Sequence, residues 1–367
     1  MNVPKIRFKE FSDEWRKINL KDISIINPKN EQLPNEFIYI DLESVNKGIL
    51  SQEKIISKTD APSRAQRTVK KNDILFQMVR PYQQNNYFIK EIKEIPYVAS
   101  TGYALIRTSE DPYFIYSILH KKDFLDRVID RCTGTSFPAI NANDLGDINI
   151  NIPSIQEQNK VSSFLSLLDK KIELQTKKIE DLKLFKLCMM KEIFTSNSAS
   201  NLTKIKDIAI IEKGKQINGD LLLEYGNYYM LNGGINPSGY LNEYNRNENT
   251  ITISEGGNSC GYVNINKEKF WCGGHCYSAA PNNINNDYLY QILKYNEKAI
   301  MELRVGSGLP NIQKKDIENF NLKIHNKEEQ ENIALKLSKF DYKITLEEKY
   351  LSKLHDLKKG LMQNMFV

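Results

Sequence analysis

The sequence predicts an α+β protein with two globular domains, related by an approximate two-fold axis and joined by two long helices that form an antiparallel coiled coil. Two observations support this prediction. A heptad pattern of apolar residues occurs twice, over residues 161–193 and 333–365, with an offset of 172 residues. Short β-branched and aromatic segments bounded by Gly, Asn, Asp and Pro precede each heptad pattern, as expected for strands.

Length and composition are those of a globular protein. The 367 residues are enough for two or three domains, each with its own core. Charged residues make up 26% and hydrophobic residues 40%, and the net charge of +5 permits an acidic partner without requiring one. No apolar segment approaches membrane-spanning length, no secretory signal is visible, and the five cysteines are scattered. We therefore expect a cytoplasmic protein.

Residues 1–152 are predicted to form the first globular domain. A strand and a short helical turn are expected around INLKDI, and the segment from Asp111 to Cys132 is predicted to be one helix because of its apolar spacing. The loop TGTSFPAIN follows that helix. The strand candidates are FIYIDLESV, DILFQMV, GYALIRT and DLGDININIP.

The first long helix is predicted over residues 153–195, with Ser154 and Glu157 forming a capping box at its start. Its apolar positions are separated by alternating steps of four and three residues, which is the a/d pattern of a coiled coil. Gln175 is a polar break in this pattern. The predicted seam residues are Val161, Leu165, Leu168, Ile172, Ile179, Leu182 and Lys186.

The same order of segments is repeated after a polar linker at residues 196–201. The second globular domain is predicted over residues 202–325, with strand candidates NYYML, NTITIS, GYVNI, KFWCGG and DIENFNLKI, the helix DYLYQILKYNEKAIMELRV and the loop GSGLPNI. The second long helix is predicted over residues 326–367, with Asn326 and Glu329 as its capping box. Its seam residues are Ile333, Leu337, Phe340, Ile344, Glu347, Leu351 and Leu354.

The lengths of the helix and the linker predict how the two copies are arranged. The first helix spans roughly 58 Å, whereas the short link between Phe194 and Leu202 reaches at most about 28 Å. The second helix is therefore expected to run antiparallel to the first, with one domain at each end. One register places Lys186 opposite Glu347 and Gln175 opposite Lys358, because polar seam residues commonly pair. A slide by one heptad would overlap the helices more fully but would place these charges against Leu and Ile.

The sequence contains no recognisable catalytic motif. It lacks a GxxxxGK[ST] phosphate loop, a GxGxxG after a strand, an HExxH pair and an Asn/Asp-Pro-Pro-aromatic motif. Cys260, Cys272, His275 and Cys276 do not have the spacing of a usual zinc site, and buried thiols are the simpler interpretation. We therefore predict a chain that is not an enzyme and that binds no metal or cofactor.

Basic and amide side chains cluster in the first domain, and residues of these types contact phosphates and base edges in DNA. The second domain has loops rich in Asn, Gly and Tyr instead, such as NGGINPSGY and SEGGNSCGY. A solvated surface accounts for any single charge, but the cluster as a whole favours double-stranded DNA as a partner. The predicted DNA contacts are Arg64, Arg67, Lys70, Lys71, Arg80, Tyr82, Gln83, Gln84, Asn85, Asn232, Asn236, Tyr240, Asn258, Ser259 and Arg304.

Over its whole length the chain resembles the specificity (S) subunits of type I restriction–modification systems. Near the start the similar segments are PKIRFKEFSDEW and LKDI, and near the end LKKGLMQNMF. The segments RCTGTSFPAINANDLGDININIPSIQEQNKVSSFLSLLDKKI and GSGLPNIQKKDIENFNLKIHNKEEQENIALKLSKFDYKI resemble the motifs that run into the long helices of the family. Thr135, Ser136 and Ser307 join the candidate DNA contacts only because they lie in these motif loops.

The resemblance implies two target recognition domains, each reading one half of a split DNA sequence, with the helices setting the gap. It also implies that catalysis belongs to other chains. Two modification subunits would transfer a methyl group from S-adenosylmethionine to adenine N6, and restriction subunits would use ATP and Mg to translocate and cleave DNA. Two alternatives stay open. One is a coiled-coil scaffold with two protein-binding heads and no DNA, and the other is an enzyme with an unfamiliar site.

Overall fold

The structure is a computed structural model that describes residues 3–29, 31–196, 201–306, 308 and 310–367. Its contacts divide the chain into two compact units, one formed by Met1–Leu174 with Leu351–Val367 and the other by residues 175–350. Both units contain helices and strands, so the predicted α+β class with two domains and two long helices is confirmed. In the described part of the chain, no helix is both long and apolar enough to cross a bilayer.

The first unit is built on two four-stranded sheets. One contains, in order, Ser24–Ile26, Tyr103–Thr108, Ile74–Gln77 and Tyr87–Phe88, with antiparallel neighbours. The other contains Lys54–Ser57, Glu36–Ile40, Tyr97–Ser100 and Ala65–Thr68, and its two central strands are parallel. Two smaller pairings complete the unit, Arg16–Asn19 with Asn149–Ile152 and Val45–Asn46 with Ile49–Leu50.

The helices of the first unit are shorter than the sequence predicts. The segment predicted as a single helix forms Pro112–Ile118 and Lys122–Ile129, because the chain turns at Lys121, whose ammonium binds the Val367 carbonyl at 2.7 Å. The segment DLGDININIP begins in a helix, since the Asn141 side chain caps the backbone N–H of Asp144. The remaining helices are Leu20–Ile23, Ala142–Gly146 and the 3₁₀ turns Lys58–Asp60 and Pro81–Gln83.

The second unit repeats the antiparallel four-stranded sheet of the first, and its other large sheet has three strands instead of four. Its antiparallel sheet contains Ala209–Lys213, Cys276–Pro281, Thr250–Ser254 and Val263–Asn266, in the same order as the corresponding strands of the first unit. A three-stranded sheet contains Gly239–Leu241, Tyr228–Leu231 and Trp271–Cys272, and Asn201–Lys204 pairs with Asn321–Ile324. The helices are Ile205–Ile208, Asn286–Tyr295, Glu297–Met301 and Lys314–Asn319, with a 3₁₀ turn at Gly219–Leu221. The segment predicted as one helix is again broken, here at Asn296.

The two long helices are Ile155–Thr195 and Lys327–Asn364. All fourteen predicted seam residues are buried or half-buried. The predicted linker lies mostly outside the described residues, and its last residue, Asn201, begins a strand.

The two predicted capping boxes differ in the structure. At the second long helix the box is complete, because the Asn326 and Glu329 side chains each accept a hydrogen bond from the other residue's backbone N–H. At the first helix the backbone N–H of Glu157 donates to Ser154 Oγ at 3.4 Å, but the Glu157 carboxylate binds Arg7 instead of closing the box. The prediction of a capping box at Ser154 and Glu157 was therefore wrong in its second half, since Arg7, far away in sequence, takes the carboxylate.

The proposed register, with Lys186 opposite Glu347 and Gln175 opposite Lys358, was wrong. Within the second unit Lys186 Nζ lies 2.6 Å from Asp341 Oδ1, and Gln175 Nε2 donates to Glu347 Oε2 at 2.7 Å. These contacts correspond to the alternative register, in which one helix is shifted along the other by roughly one heptad. The proposed register considered only seam residues as partners. In the structure the Lys186 ammonium donates a hydrogen bond to Asp341, which lies next to seam residue Phe340 and is not itself a seam residue.

The same pairing occurs within the first unit. Lys358 Nζ lies 2.6 Å from Asp169 Oδ1, and this pair is equivalent to Lys186 with Asp341 under the sequence offset. In the second unit the partner's number falls from 347 to 341 as the residue number rises from 175 to 186, so the helix segments there are antiparallel. The offset seen in the sequence thus also relates contacts between the helices.

Candidate nucleic-acid interface

Two loops of the first unit are joined side by side. One comprises residues 78–85, after strand Ile74–Gln77, and the other comprises residues 133–140. The Arg80 N–H donates to the Pro138 carbonyl at 2.8 Å, and the Ile140 N–H donates to the Met78 carbonyl at 3.1 Å. We call these two segments the first loop pair.

Gln77 fixes the shape of the first of these loops. Its side chain is only 1% exposed. Gln77 Nε2 donates to the Val79 carbonyl and to Gln83 Oε1, both at 2.8 Å, and its Oε1 accepts from the Asn85 N–H at 3.0 Å. These hydrogen bonds of the Gln77 side chain stabilise the loop in the conformation that the structure shows.

Arg80 lies where the two loops meet and has several unusual features. Its φ of 54° is in the left-handed region, which costs a non-glycine residue roughly 1–2 kcal/mol. The Arg80 guanidinium lies 4.3 Å from the ring centroid of Phe137, a side chain that is 62% exposed. Arg80 Nε is buried and makes no hydrogen bond. The guanidinium is therefore held by stacking, and no described residue accepts a hydrogen bond from it.

The arginines predicted as DNA contacts differ from the others in their bonding. Arg64, Arg67, Arg80 and Arg304 form no side-chain hydrogen bond or ion pair with any residue that the structure describes. Burial lowers the pKa of Arg67, whose Nε is also unpaired. The six other arginines donate to carboxylates, hydroxyls or backbone carbonyls: Arg7, Arg16, Arg107, Arg127, Arg131 and Arg246.

The structure divides the predicted basic cluster into two groups. Arg64 is linked to the first loop pair by a turn, because its carbonyl accepts from the Thr101 N–H at 2.9 Å while the Gly102 carbonyl accepts from the Met78 N–H at 3.0 Å. Lys70 and Lys71 lie at the opposite end of strand Ile74–Gln77, about 13 Å away along the strand, and Lys70 pairs with Glu31. The candidates within the first loop pair are Arg80, Tyr82, Gln83, Gln84, Asn85, Thr135 and Ser136.

The second unit contains an equivalent loop pair, formed by residues 255–259 and 310–312. The Gly257 N–H donates to the Pro310 carbonyl at 3.0 Å, and the Ile312 N–H donates to the Glu255 carbonyl at 2.9 Å. The first of these hydrogen bonds corresponds to the bond from Arg80 to Pro138, and the second corresponds to the bond from Ile140 to Met78. Gly257, with φ of 73°, therefore occupies the position of Arg80.

Several predicted contacts of the second domain lie next to this second loop pair. Ser259 Oγ donates to the Gly233 carbonyl, and Asn232 Oδ1 accepts from the His275 N–H at 3.1 Å. Asn232 is therefore a structural residue as well as a candidate contact. Asn236, Asn258 and Arg304 are exposed, Tyr240 is half-buried in a strand that pairs with Tyr228–Leu231, and Ser307 lies outside the described residues.

Glu255 is the charged residue of the second loop pair that sequence reasoning missed. It is 4% exposed, and its Oε1 accepts from Lys213 Nζ at 2.6 Å and from the Tyr277 hydroxyl at 2.9 Å. Burial raises the pKa of Glu255, but the hydrogen bonds from Lys213 and Tyr277 outweigh burial and lower the pKa overall. The only signal in the sequence was a Glu directly after the apolar alternation of TITIS.

The thiols and the imidazole of the cysteine–histidine segment lie in different environments. Cys260, Cys272 and Cys276 are buried, while His275 is exposed and lies 3.4 Å from Glu255 Oε2. No group of three or more His, Cys, Asp or Glu side chains suited to a metal occurs among the described residues. His275 is thus linked to the second loop pair rather than to the cysteines.

Comparison with known families accounts for the repeated architecture. The family model of the type I restriction modification DNA specificity domain matches residues 12–184 and 197–356. The chain belongs to this family. Each match contains one globular domain and much of the long helix that follows it, so both halves of the chain are specificity domains.

Individual relatives and a solved structure agree with this assignment. A type I specificity subunit of Mycoplasma pneumoniae is 34% identical over 154 residues, covering 40% of this chain and 41% of that protein. The HindI specificity subunit of Haemophilus influenzae is 27% identical over 175 residues, covering 44% and 37%. The chain thus spans less than half the length of these relatives. The crystal structure of a type I S subunit from Mycoplasma genitalium matches 100% of this chain and 99% of its own, with a TM-score of 0.71 at 18% identity, so the fold is shared.

Proposed function

We propose that this chain is the DNA sequence-specificity subunit of a type I restriction–modification complex. Each globular domain would read one half of a bipartite, asymmetric target. The observation that carries the proposal is that both halves match the specificity-domain family while their equivalent loop pairs carry different side chains, with Arg80 in one and Gly257 in the other. A shared backbone with different side chains suits two different half-sites, because base edges are distinguished by side-chain chemistry.

The chain is proposed to recognise DNA without catalysing a reaction on it. Two modification subunits would methylate adenine N6 with S-adenosylmethionine, and restriction subunits would supply ATP- and Mg-dependent translocation and cleavage. A structure from work on complex assembly in a type I restriction–modification system supports such partners, with a TM-score of 0.56 at 19% identity over 96% of this chain. A cytoplasmic location belongs to the same proposal.

A genome-wide map of N6-methyladenine, in cells with and without the gene, tests the proposal. A bipartite motif is expected to lose methylation when the gene is deleted and to regain it when the gene is returned. The motif would supply both half-sites and the gap between them. If no motif changes while modification subunits are expressed and bound to this chain, the DNA-reading function is contradicted and a protein-binding scaffold becomes the better interpretation.

A further inference from the structure

We propose that Arg80 reads a guanine in the half-site of the first domain, from the backbone position that Gly257 occupies in the second. The inference rests on the proposed DNA-reading function and adds a specific base and a specific residue to it. It predicts that one half-site contains a guanine whose recognition depends on Arg80, and that the second domain has no counterpart of this contact.

The equivalence of the two positions is set by the backbone. In each unit the residue in the left-handed conformation donates to a proline carbonyl, Pro138 or Pro310. The bridge between Thr133 and Ala139 recurs between Val305 and Asn311, at the same offset of 172 residues. The two loop pairs therefore have equivalent backbone hydrogen bonds, and their side chains can be compared position by position.

The first loop pair has the composition of a surface that meets an anionic, acceptor-rich partner. Neither of its segments, residues 78–85 and 133–140, contains an Asp or a Glu. Tyr82 is 53% exposed, and Thr135 and Ser136 are exposed as well. The only charge in these segments is Arg80, which no described carboxylate neutralises. DNA supplies the acceptors that this guanidinium lacks.

The way Arg80 is held favours a base over a phosphate. A phosphate contact can be made by a lysine or an arginine, and it carries no sequence information directly. The O6 and N7 acceptors of guanine lie in one plane, and the two coplanar donors of an arginine guanidinium match them. Stacking on Phe137 restricts the guanidinium plane before DNA arrives and reduces the entropy lost on binding.

The glycine that the second unit has at the position of Arg80 suggests which substitution to test. A Cβ added at Gly257 would meet nothing within 4 Å, so the space beside this position is open. Glycine also adopts the left-handed conformation without strain. Arg80→Gly is therefore expected to remove the guanidinium while the backbone of the first loop pair keeps its conformation, now without the strain.

The experiment compares wild type, Arg80→Gly and Arg80→Lys in the complete complex with its modification subunits. The readouts are the methylated motif in cells and the affinity for duplexes that carry each base at every half-site position. Arg80→Gly is expected to reduce discrimination at one guanine of one half-site about 10- to 100-fold, with the other half-site unchanged. Arg80→Lys is expected to lose discrimination at the same position, because lysine lacks the planar pair of donors.

The remaining outcomes separate this inference from the proposed function. If Arg80→Lys preserves the motif while Arg80→Gly weakens binding to all sequences alike and reduces the salt dependence, Arg80 contacts a phosphate and the inference is wrong. Unchanged discrimination in both variants would also overturn it. A wild-type complex without any bipartite motif would instead contradict the proposed function. Arg16→Ala, which removes a surface ion pair with Glu110, is the matched control and should leave the motif intact.

Discussion

At the scale of single residues, bonding partners distinguish the four arginines that are candidate DNA contacts from the six other arginines. Arg64, Arg67 and Arg80 could be predicted as candidates from the sequence, because basic and amide residues cluster in that part of the chain. Glu255 and His275 could not be identified as neighbours in one site. Glu255 meets Lys213, which is 42 residues away in sequence, and such a pairing exists only after the sheet has formed.

The buried carboxylate of Glu255 gives a prediction about stability and pH. Glu255→Gln is expected to destabilise the second unit by about 1 kcal/mol at pH 7, because Lys213 and Tyr277 lose an anionic acceptor and Lys213 is partly screened by water. The folded pKa of Glu255 lies below the unfolded value of about 4.3. This stabilisation is therefore full above the unfolded pKa and is lost as the pH falls through the folded pKa.

Urea unfolding between pH 3 and pH 7 measures the effect. Trp271 lies in the second unit and Trp15 in the first, so Trp271 fluorescence in a Trp15→Phe background reports on the second unit. The difference between wild type and Glu255→Gln should shrink as the solution becomes acidic. Glu302→Gln, at an exposed glutamate, serves as the control. A difference that stays constant over this pH range would contradict the lowered pKa.

At the scale of elements, the long helices were predictable to within a few residues because a seam with alternating steps of four and three residues is typical of a coiled coil. Their register was not predictable from seam residues alone. The Lys186 ammonium extends past the seam to Asp341, and Asp341 also accepts from Gln291 in the domain. Long side chains reach partners one position away from the seam, so matching seam residues with one another gave the wrong slide.

A charge-swap experiment tests the observed register. Burial lowers the pKa of Lys186, and Asp341 opposes that shift, so the pair is held in a partly dry environment. Lys186→Glu is expected to cost about 2–4 kcal/mol of unfolding free energy, since it places a buried negative charge beside Asp341. Adding Asp341→Lys should recover a large part of this loss.

Glu347→Lys distinguishes the two registers in the same experiment. Glu347 binds Gln175 and Lys178 rather than Lys186, so the double variant Lys186→Glu with Glu347→Lys is expected to show no recovery. Unfolding free energies of the single and double variants give the coupling of each pair. If Glu347→Lys recovered the lost unfolding free energy and Asp341→Lys did not, the result would support the pairing of Lys186 with Glu347 and contradict the register in the structure.

At the scale of the whole molecule, each unit takes part of its core from the helix that follows the other domain. Met365 and Phe366, at the end of the second long helix, belong to the core of the first unit. Met190 and Phe194, at the end of the first long helix, belong to the core of the second. Phe194 and Phe366 are related by the sequence offset, so the repeat predicted the correspondence. The offset does not extend to the side chains of the two loop pairs, where Arg80 of one copy corresponds to Gly257 of the other.

Separate cores predict that the two loop pairs act independently on DNA. Asn258, beside Gly257, is exposed, and Asn258→Ala is expected to weaken recognition of the second half-site about fivefold, the equivalent of one lost hydrogen bond. Arg80→Gly should affect only the first half-site. Since the loop pairs share no residue, the free-energy changes of the double variant should add to within about 0.5 kcal/mol. Affinities of the wild-type, single-variant and double-variant complexes for duplexes altered in either half-site measure the coupling, and a value above about 1 kcal/mol would mean that one domain changes how the other reads DNA.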